Sequence, residues 1–174
     1  MNTHGEKIGI RHIVHPFSPI IDGRSAALIL GSVPSVKSAE YGFYYMHPQN
    51  RFWRIMSDYC GCDLTGASPD YKRERLLEKR IALYDSVYEC DITGSSDASV
   101  TNVVPVDIKK MIRAYPIRKI LCNGALAYGI AVKYNPDAGI PFVKMPSTSP
   151  ANAAATLEAL TAVWARELDK ALKA

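Results

Sequence analysis

Four short apolar runs divide the chain, Ala26 to Leu30, Ile81 to Tyr84, Lys119 to Cys122 and Ile140 to Lys144. Runs of this length with little polar alternation predict strands buried on both faces, as in a parallel sheet. Pro141 interrupts the fourth early and places it at a sheet edge. Between and after the runs, apolar residues recur at helical spacing. Phe52, Trp53, Ile55, Met56 and Tyr59 predict a helix from Gln49 to Tyr59 stopped by Gly61, and Leu76-Leu77 supplies the buried contact of a charged helix from Asp70 to Lys79. Asp107 caps a helix with Ile108, Met111 and Ile112 inward, and an Ala-rich helix follows Asn123-Gly124 through Ala131. Leu157, Leu160, Trp164 and Leu168 mark the inner face of a last helix from about Ala151 to Leu172.

Strands alternating with helices predict an α/β fold, a three-layer α/β/α sandwich around a short, mainly parallel sheet of about four strands. Ligands of such sheets sit outside the carboxyl ends of the strands. Residues 1–25 mix Gly, His, Pro and Ser with one β-like patch at Ile13-Val14, and read as an arm or edge segment before a single domain at 26–174. The segment from Asp91 to Ser99 is rich in turn formers and reads as a functional loop.

A chain of 174 residues is long enough to bury roughly 70% of its unfolded surface without disulfides or metals. Hydrophobic and charged fractions of 48% and 22% describe an ordinary globule. The net charge of +4 suits a polyanionic partner without requiring one. No signal-peptide pattern opens the sequence and no apolar run reaches the ~20 residues of a membrane span, so a cytoplasmic protein, monomeric and without a membrane partner, is expected. Cys60, Cys62, Cys90 and Cys122 match no common zinc spacing and read as reduced packing thiols; no metal or other cofactor is expected.

Chemistry concentrates between Leu28 and Met56. After the first strand, Gly31-Ser32-Val33-Pro34-Ser35 is a turn of small residues that lets backbone amides and two hydroxyls approach a bulky polar group. Six aromatic residues then fall between positions 41 and 53, namely Tyr41, Phe43, Tyr44, Tyr45, Phe52 and Trp53, and His47-Pro48-Gln49-Asn50 lies among them. Core packing alone does not require that density. Far downstream, Met145-Pro146-Ser147-Thr148-Ser149-Pro150-Ala151-Asn152 places hydroxyls and prolines ahead of the last helix.

The turn, the YY-x-HP-x-N-x-FW block and the MPSTSPAN block, in this order, resemble the hypoxanthine-DNA (deoxyinosine) glycosylase branch of the uracil-DNA glycosylase superfamily. The resemblance spans residues 28–152. It implies a uracil-DNA glycosylase-like fold and a monofunctional DNA glycosylase acting on damaged DNA, with hypoxanthine favoured and uracil second. It further implies that Tyr45 is the ring stacking on the extruded base, with Phe43, Ser32 and Val33 beside it. The residue before the motif-one proline commonly carries the chemistry in better-known relatives. Here it is Val33, which cannot orient water, and the resemblance shifts the catalytic role to Asn50. Asn50 is also a ready cap for the Phe52-Trp53 helix. By the same resemblance Ser147 and Ser149 grip phosphates with Ser32 and Ser35 opposite, and Asn152 approaches the duplex. His47 donates to a phosphate or fixes its loop. Asp85, Ser86 and Asp97, after the second strand, are candidates to read the base or assist water. Lys37, Arg51, Arg54 and Lys144 could add nonspecific affinity for DNA. A non-catalytic nucleotide- or phosphate-binding module would use the same glycine-serine turn and is the rival reading.

Overall fold

A computed structural model describes residues 9–94 and 96–173; the first eight residues of the expected N-terminal arm lie outside them. Its strands are β1 (Ile10–Val14), β2 (Ala27–Gly31), β3 (Ile81–Asp85), β4 (Val87–Thr93), β5 (Thr101–Pro105), β6 (Lys119–Asn123) and β7 (Phe142–Met145). Its helices are α1 (Val36–Tyr41), α2 (Phe52–Cys60), α3 (Pro69–Glu78), α4 (Ile108–Ala114), α5 (Ala125–Tyr134) and α6 (Leu157–Lys173).

The apolar runs become β2, β3, β6 and β7, a parallel sheet in the order β3-β2-β6-β7 flanked by helices in a three-layer α/β/α arrangement. Every residue of β2 and β3 is buried, which is why their sequence lacks alternation. Pro141 precedes β7, the edge strand. In register, Gly31 stands beside Asp85 and Asn123 beside Met145. The four carboxyl ends therefore form one rim.

Helix boundaries follow local capping. The Ser68 side chain accepts from Tyr71 N–H with Pro69 in the first turn of α3, and Asp107 accepts from Lys110 N–H at α4. Gly61 ends α2 in the left-handed conformation at φ 72°. The last helix starts later than its apolar spacing predicts, at Leu157, because Thr156 caps it through Ala159 N–H and residues 149–152 are tied into their own turn, Asn152 N–H donating to Ser149 C=O. The Ser147–Pro150 block thus does not stand at the amino end of α6.

A second, antiparallel sheet in the order β1-β4-β5 corrects the reading of residues 91–99 as one loop. The β-like patch belongs to β1, which pairs along β4 from Ile10↔Thr93 to Val14↔Glu89. Turn formers occupy only a short connection, with a 3₁₀ turn at Asp97–Ser99. Val87 and Cys90 of this sheet pack on Ile130 of α5. Among the described residues no helix is long and apolar enough to cross a membrane.

Lys72 of α3 is only 1% exposed. Its ammonium lies 4.9 Å from the Trp53 ring centroid and 3.7 Å from Met46 Sδ, with no carboxylate at ion-pair distance among the described residues. Desolvation lowers its pKa, so the native state binds fewer protons than the unfolded chain between that lowered value and the ordinary one. Stability attributable to this group therefore rises with pH through that window. Lys72→Met, similar in volume, is expected to gain on the order of 1 kcal/mol at neutral pH, with the advantage shrinking as the solution approaches the ordinary lysine pKa. Urea unfolding at a series of pH values reads both.

Candidate active site

At the rim of the parallel sheet lies a cavity of about 490 Å³, a size typical of small-ligand sites. Three distant segments wall it: Gly31–Val36 after β2, the Tyr44–Asn50 loop, and Ser147–Ser149 after β7. Asp85, Asn123 and Gly124 close it from the ends of β3 and β6, and Arg11, Phe17, Asp97 and Ala98 reach it from the antiparallel side.

Its floor is built on Gly31. A Cβ at this residue would lie 2.2 Å from Asp85 Oδ1 and 2.7 Å from the Tyr45 hydroxyl, so two polar groups converge on a position that only glycine leaves open. Asp85 is 4% exposed, and its Oδ2 accepts from His15 Nε2 at 2.7 Å. A carboxylate at Nε2 places a proton there; Nδ1 then accepts from Phe17 N–H at 3.2 Å or, in the imidazolium, donates to Phe17 C=O at 3.0 Å. The other oxygen, Oδ1, has no hydrogen-bond partner among the described residues. Tyr45 holds φ at 54°, a left-handed backbone uncommon for a bulky residue. One face of its ring stacks on Phe52, centroids 4.1 Å apart and planes at 26°. Its hydroxyl is buried with no partner among the described residues, and burial, then the Asp85 charge, raises its pKa. It is a neutral donor.

A buried network joins the two sequence motifs at the opposite wall. Asn50 Oδ1 accepts from Phe52 N–H and from Thr148 Oγ1, both at 2.9 Å. Thr148, fully buried, also accepts from Asn123 Nδ2 at 2.9 Å and donates its N–H to Asn123 Oδ1 at 3.0 Å. A backbone N–H can only meet the amide oxygen, so the Asn50 orientation is fixed and its NH₂ is the end left without a partner. The N-cap position of α2 falls on Arg51, so Asn50 is not the cap itself, but its Oδ1 satisfies the first amide of the helix while its NH₂ stays free, two roles that the sequence reading set as alternatives.

Arg51 holds the same wall from behind and does not face DNA as expected. Its guanidinium donates to the carbonyls of Thr148, Ser149, Asn152 and Ala155. Arg51→Ala strands those carbonyls and is expected to cost about 2–3 kcal/mol, as for other charge-assisted hydrogen bonds. Denaturant unfolding and faster proteolysis between residues 148 and 155 are the readouts.

The remaining predicted residues divide. Ser32, Val33, Ser35, Ser147 and Ser149 line the cavity with Tyr45, Asn50 and Asp85. Ser35 caps α1, while Ser147 and Ser149 accept from nearby amides; the hydroxyl protons of the latter two have no acceptor in the loop. Phe43 is not a pocket residue: it is 3% exposed and stacks on Trp53, centroids 5.8 Å apart. Ser86 lies behind the floor, 1% exposed, its amide donating to Gly31 C=O. His47 and Asn152 also lie off the cavity; His47 Nδ1 accepts from Gln49 N–H, and Asn152 Nδ2 donates to Ser147 C=O. Asp97 lines the cavity with its pKa raised by burial. His15, Phe17, Asn123 and Thr148 carried no functional reading in the sequence; their only signal was a position beside a strand end or inside the serine-rich block.

Residues 19–168 match the uracil DNA glycosylase superfamily. The chain is 29% identical over 139 residues to the hypoxanthine DNA glycosylase of Methanosarcina acetivorans, covering 78% of this chain and 86% of that one. It is 34% identical over 84 residues to the hypoxanthine DNA glycosylase of Methanosarcina barkeri, covering 48% of this chain and 53% of that one. The solution NMR structure of a candidate uracil DNA glycosylase from M. acetivorans superposes with a TM-score of 0.76 at 28% identity, covering 92% of this chain and 99% of that one.

Proposed function

The chain belongs to the uracil DNA glycosylase superfamily as a DNA glycosylase, and from that premise we propose that it is a monofunctional enzyme of base excision repair removing hypoxanthine first and uracil second. The observation carrying this reading is that Tyr45 and Asn50 of one loop and Ser147 of a distant segment line one open cavity at the strand ends. A base taken out of the stack needs such a chamber, and the names of the Methanosarcina relatives favour hypoxanthine as its occupant.

Hydrolysis breaks the C1′–N bond, with the electron pair leaving on the base, and adds a water oxygen to C1′. Asn50 offers its NH₂ group to that water, the sugar or the departing base. With Oδ1 already accepting twice, it is a donor and not a base, which suits a dissociative reaction in which bond breaking leads. No lysine lines the cavity among the described residues, so an amine for a covalent sugar intermediate is not at hand, in keeping with a monofunctional enzyme. The Ser147 and Ser149 hydroxyls sit at the rim, where the flanking phosphates of an extruded nucleotide pass, and their contacts should weaken with salt.

The test is a labelled oligonucleotide with one deoxyinosine, incubated in chelator. The expected result is free hypoxanthine and an alkali-labile abasic site, with weaker release of uracil from a matched substrate. A non-catalytic binding module would retain the oligonucleotide with every base attached.

A further inference from the structure

The cavity has a smaller neighbour. A groove of about 210 Å³ runs between β1 and α1, walled by Ile13, Val14 and Pro16 on one side and by Pro34, Val36 and Ala39 on the other. Residues 11–14 all border it, in unbroken succession. Successive side chains of a strand point to opposite faces, so a hollow touched by four in a row follows the strand's edge, and β1 is an edge strand. This wall lies ahead of residue 19, where the superfamily match begins, and excision as derived above gives it no task.

Size and position decide what it takes. Pockets that hold a whole small ligand begin at roughly 300 Å³; this groove is smaller and seats a part of something larger. Arg11, Ile13, Pro34, Ser35 and Val36 line the groove and the cavity alike, so the two spaces adjoin across one shared wall. A DNA strand with one base in the cavity continues across that wall, its next base one phosphate away. The phosphate finds a cation there. Lys37 faces Glu40 at 3.1 Å, and His12 lies between Asp91 at 2.8 Å and Glu89 at 3.3 Å. Arg11 has no carboxylate at ion-pair distance among the described residues, and its exposed guanidinium spends one N–H, on Gly94 C=O at 2.7 Å. Ser35, the hydroxyl expected to grip phosphate on this side, is committed to Ser38 N–H and Ser38 Oγ.

We propose that the groove is a second nucleotide subsite, which receives the base next to the excised one on the same strand while Arg11 holds the phosphate between them. This rests on the glycosylase reading above and extends its substrate by one nucleotide. The remaining guanidinium donors meet phosphate oxygens in a fork, and the bond to Gly94 aims them. The walls are mainly aliphatic and proline, which suit the face of any base, so the subsite is tolerant of sequence. A base seated in it has left the stack, and unstacking costs least where the strand is already single.

The experiment uses single-stranded oligonucleotides with one deoxyinosine, in which the 5′ or the 3′ neighbour is replaced by a tetrahydrofuran residue that keeps the phosphate and lacks the base. Single-turnover release is followed against enzyme concentration. For the wild type, loss of the base on one side only is expected to raise the half-saturating concentration about 10-fold, the low end of what a seated base contributes. Ala39→Glu, at a residue that lines the groove and not the cavity, should erase that difference between the two neighbours. Arg11→Ala should raise the half-saturating concentration of the unmodified strand about 10-fold and reduce its logarithmic salt slope by about 0.7, the share of one phosphate on a single strand; Arg11→Lys should restore the slope. An arginine that only pins Gly94 would leave the slope unchanged. Thermal unfolding establishes that each variant is folded. If the wild type releases hypoxanthine equally well with either neighbouring base missing, or if the variants leave a one-sided penalty intact, the subsite is overturned and the glycosylase reading stands. A dimer in sedimentation that Ala39→Glu splits, with no dependence on either neighbour, would seat a second copy of the chain on the edge of β1 instead. If the wild type releases no hypoxanthine from any strand, the glycosylase reading falls and the subsite with it.

Discussion

Asn50→Ala is expected to slow hypoxanthine release by about 100- to 1,000-fold, the usual cost of removing one preorganised donor from a reacting site. Alanine also removes the acceptor for Phe52 N–H and for the Thr148 hydroxyl, so a stability loss of about 1–2 kcal/mol accompanies it. That mixture makes alanine alone ambiguous. Asn50→Asp separates the two roles. A carboxylate accepts from Phe52 N–H and Thr148 Oγ1 as well as the amide does, so the satisfied first amide of α2 and the Thr148–Asn123 connection survive. It has no N–H to offer. The expected pair of results is near-wild-type unfolding with excision as slow as in Asn50→Ala, read by single-turnover kinetics and by urea denaturation. Asn50→Asp at the wild-type rate would show that the NH₂ group is not what the reaction uses.

Thr148→Val probes the same wall from the other side. It keeps the shape of Thr148 but removes the hydroxyl that bridges Asn123 Nδ2 to Asn50 Oδ1, leaving a donor without its acceptor and Asn50 with a single restraint. About 1–3 kcal/mol of stability should go, with excision falling by a smaller factor than in Asn50→Ala because the NH₂ group is still present. Denaturation and single-turnover rates on the deoxyinosine oligonucleotide measure the two.

The parallel sheet was legible because β2 and β3 are buried throughout and β6 at its centre, so that they appear as apolar runs, with the partly covered β7 marked as an edge by Pro141. The antiparallel sheet was not. The strand β4 alternates between buried Val87, Cys90 and Ile92 and more exposed neighbours, and its pairing with β1 depends on residues nearly eighty positions away. Its polar half, followed by Gly94 and Ser96, gives the same composition as a loop. At the site, residues chosen by motif came together where a strand end or a tight turn fixed them, as with Ser32, Asn50, Asp85 and Ser147. Phe43 and Tyr45 show the limit of composition: two residues apart in one aromatic loop, one turns into the core against Trp53 and the other folds back over Gly31 through a positive φ. No periodicity distinguishes them. The partner of Asp85 was equally hidden, since His15 comes from the segment following β1, seventy positions earlier.

Gly31→Ala is expected to abolish excision more completely than its size suggests. One methyl group enters at 2.2 Å from Asp85 Oδ1 and 2.7 Å from the Tyr45 hydroxyl, distances at which something must move. Gly31 is the last residue of β2, pinned by parallel pairing and by Ser86 N–H at 2.7 Å to its carbonyl, so the backbone is poorly placed to yield. Asp85 is held from behind by His15, and the Tyr45 ring is held by Phe52. Overpacking of this kind costs about 1–3 kcal/mol, and the displaced groups are the two at the bottom of the cavity. A loss of at least about 100-fold in hypoxanthine release should follow, since displacements near 1 Å at a reacting site carry penalties of that order. A double-mutant cycle identifies the cause. Adding Asp85→Ala removes the closer clash, so Gly31→Ala should cost less stability in that background than in the wild type. Wild-type excision by Gly31→Ala would mean that the base never reaches this floor.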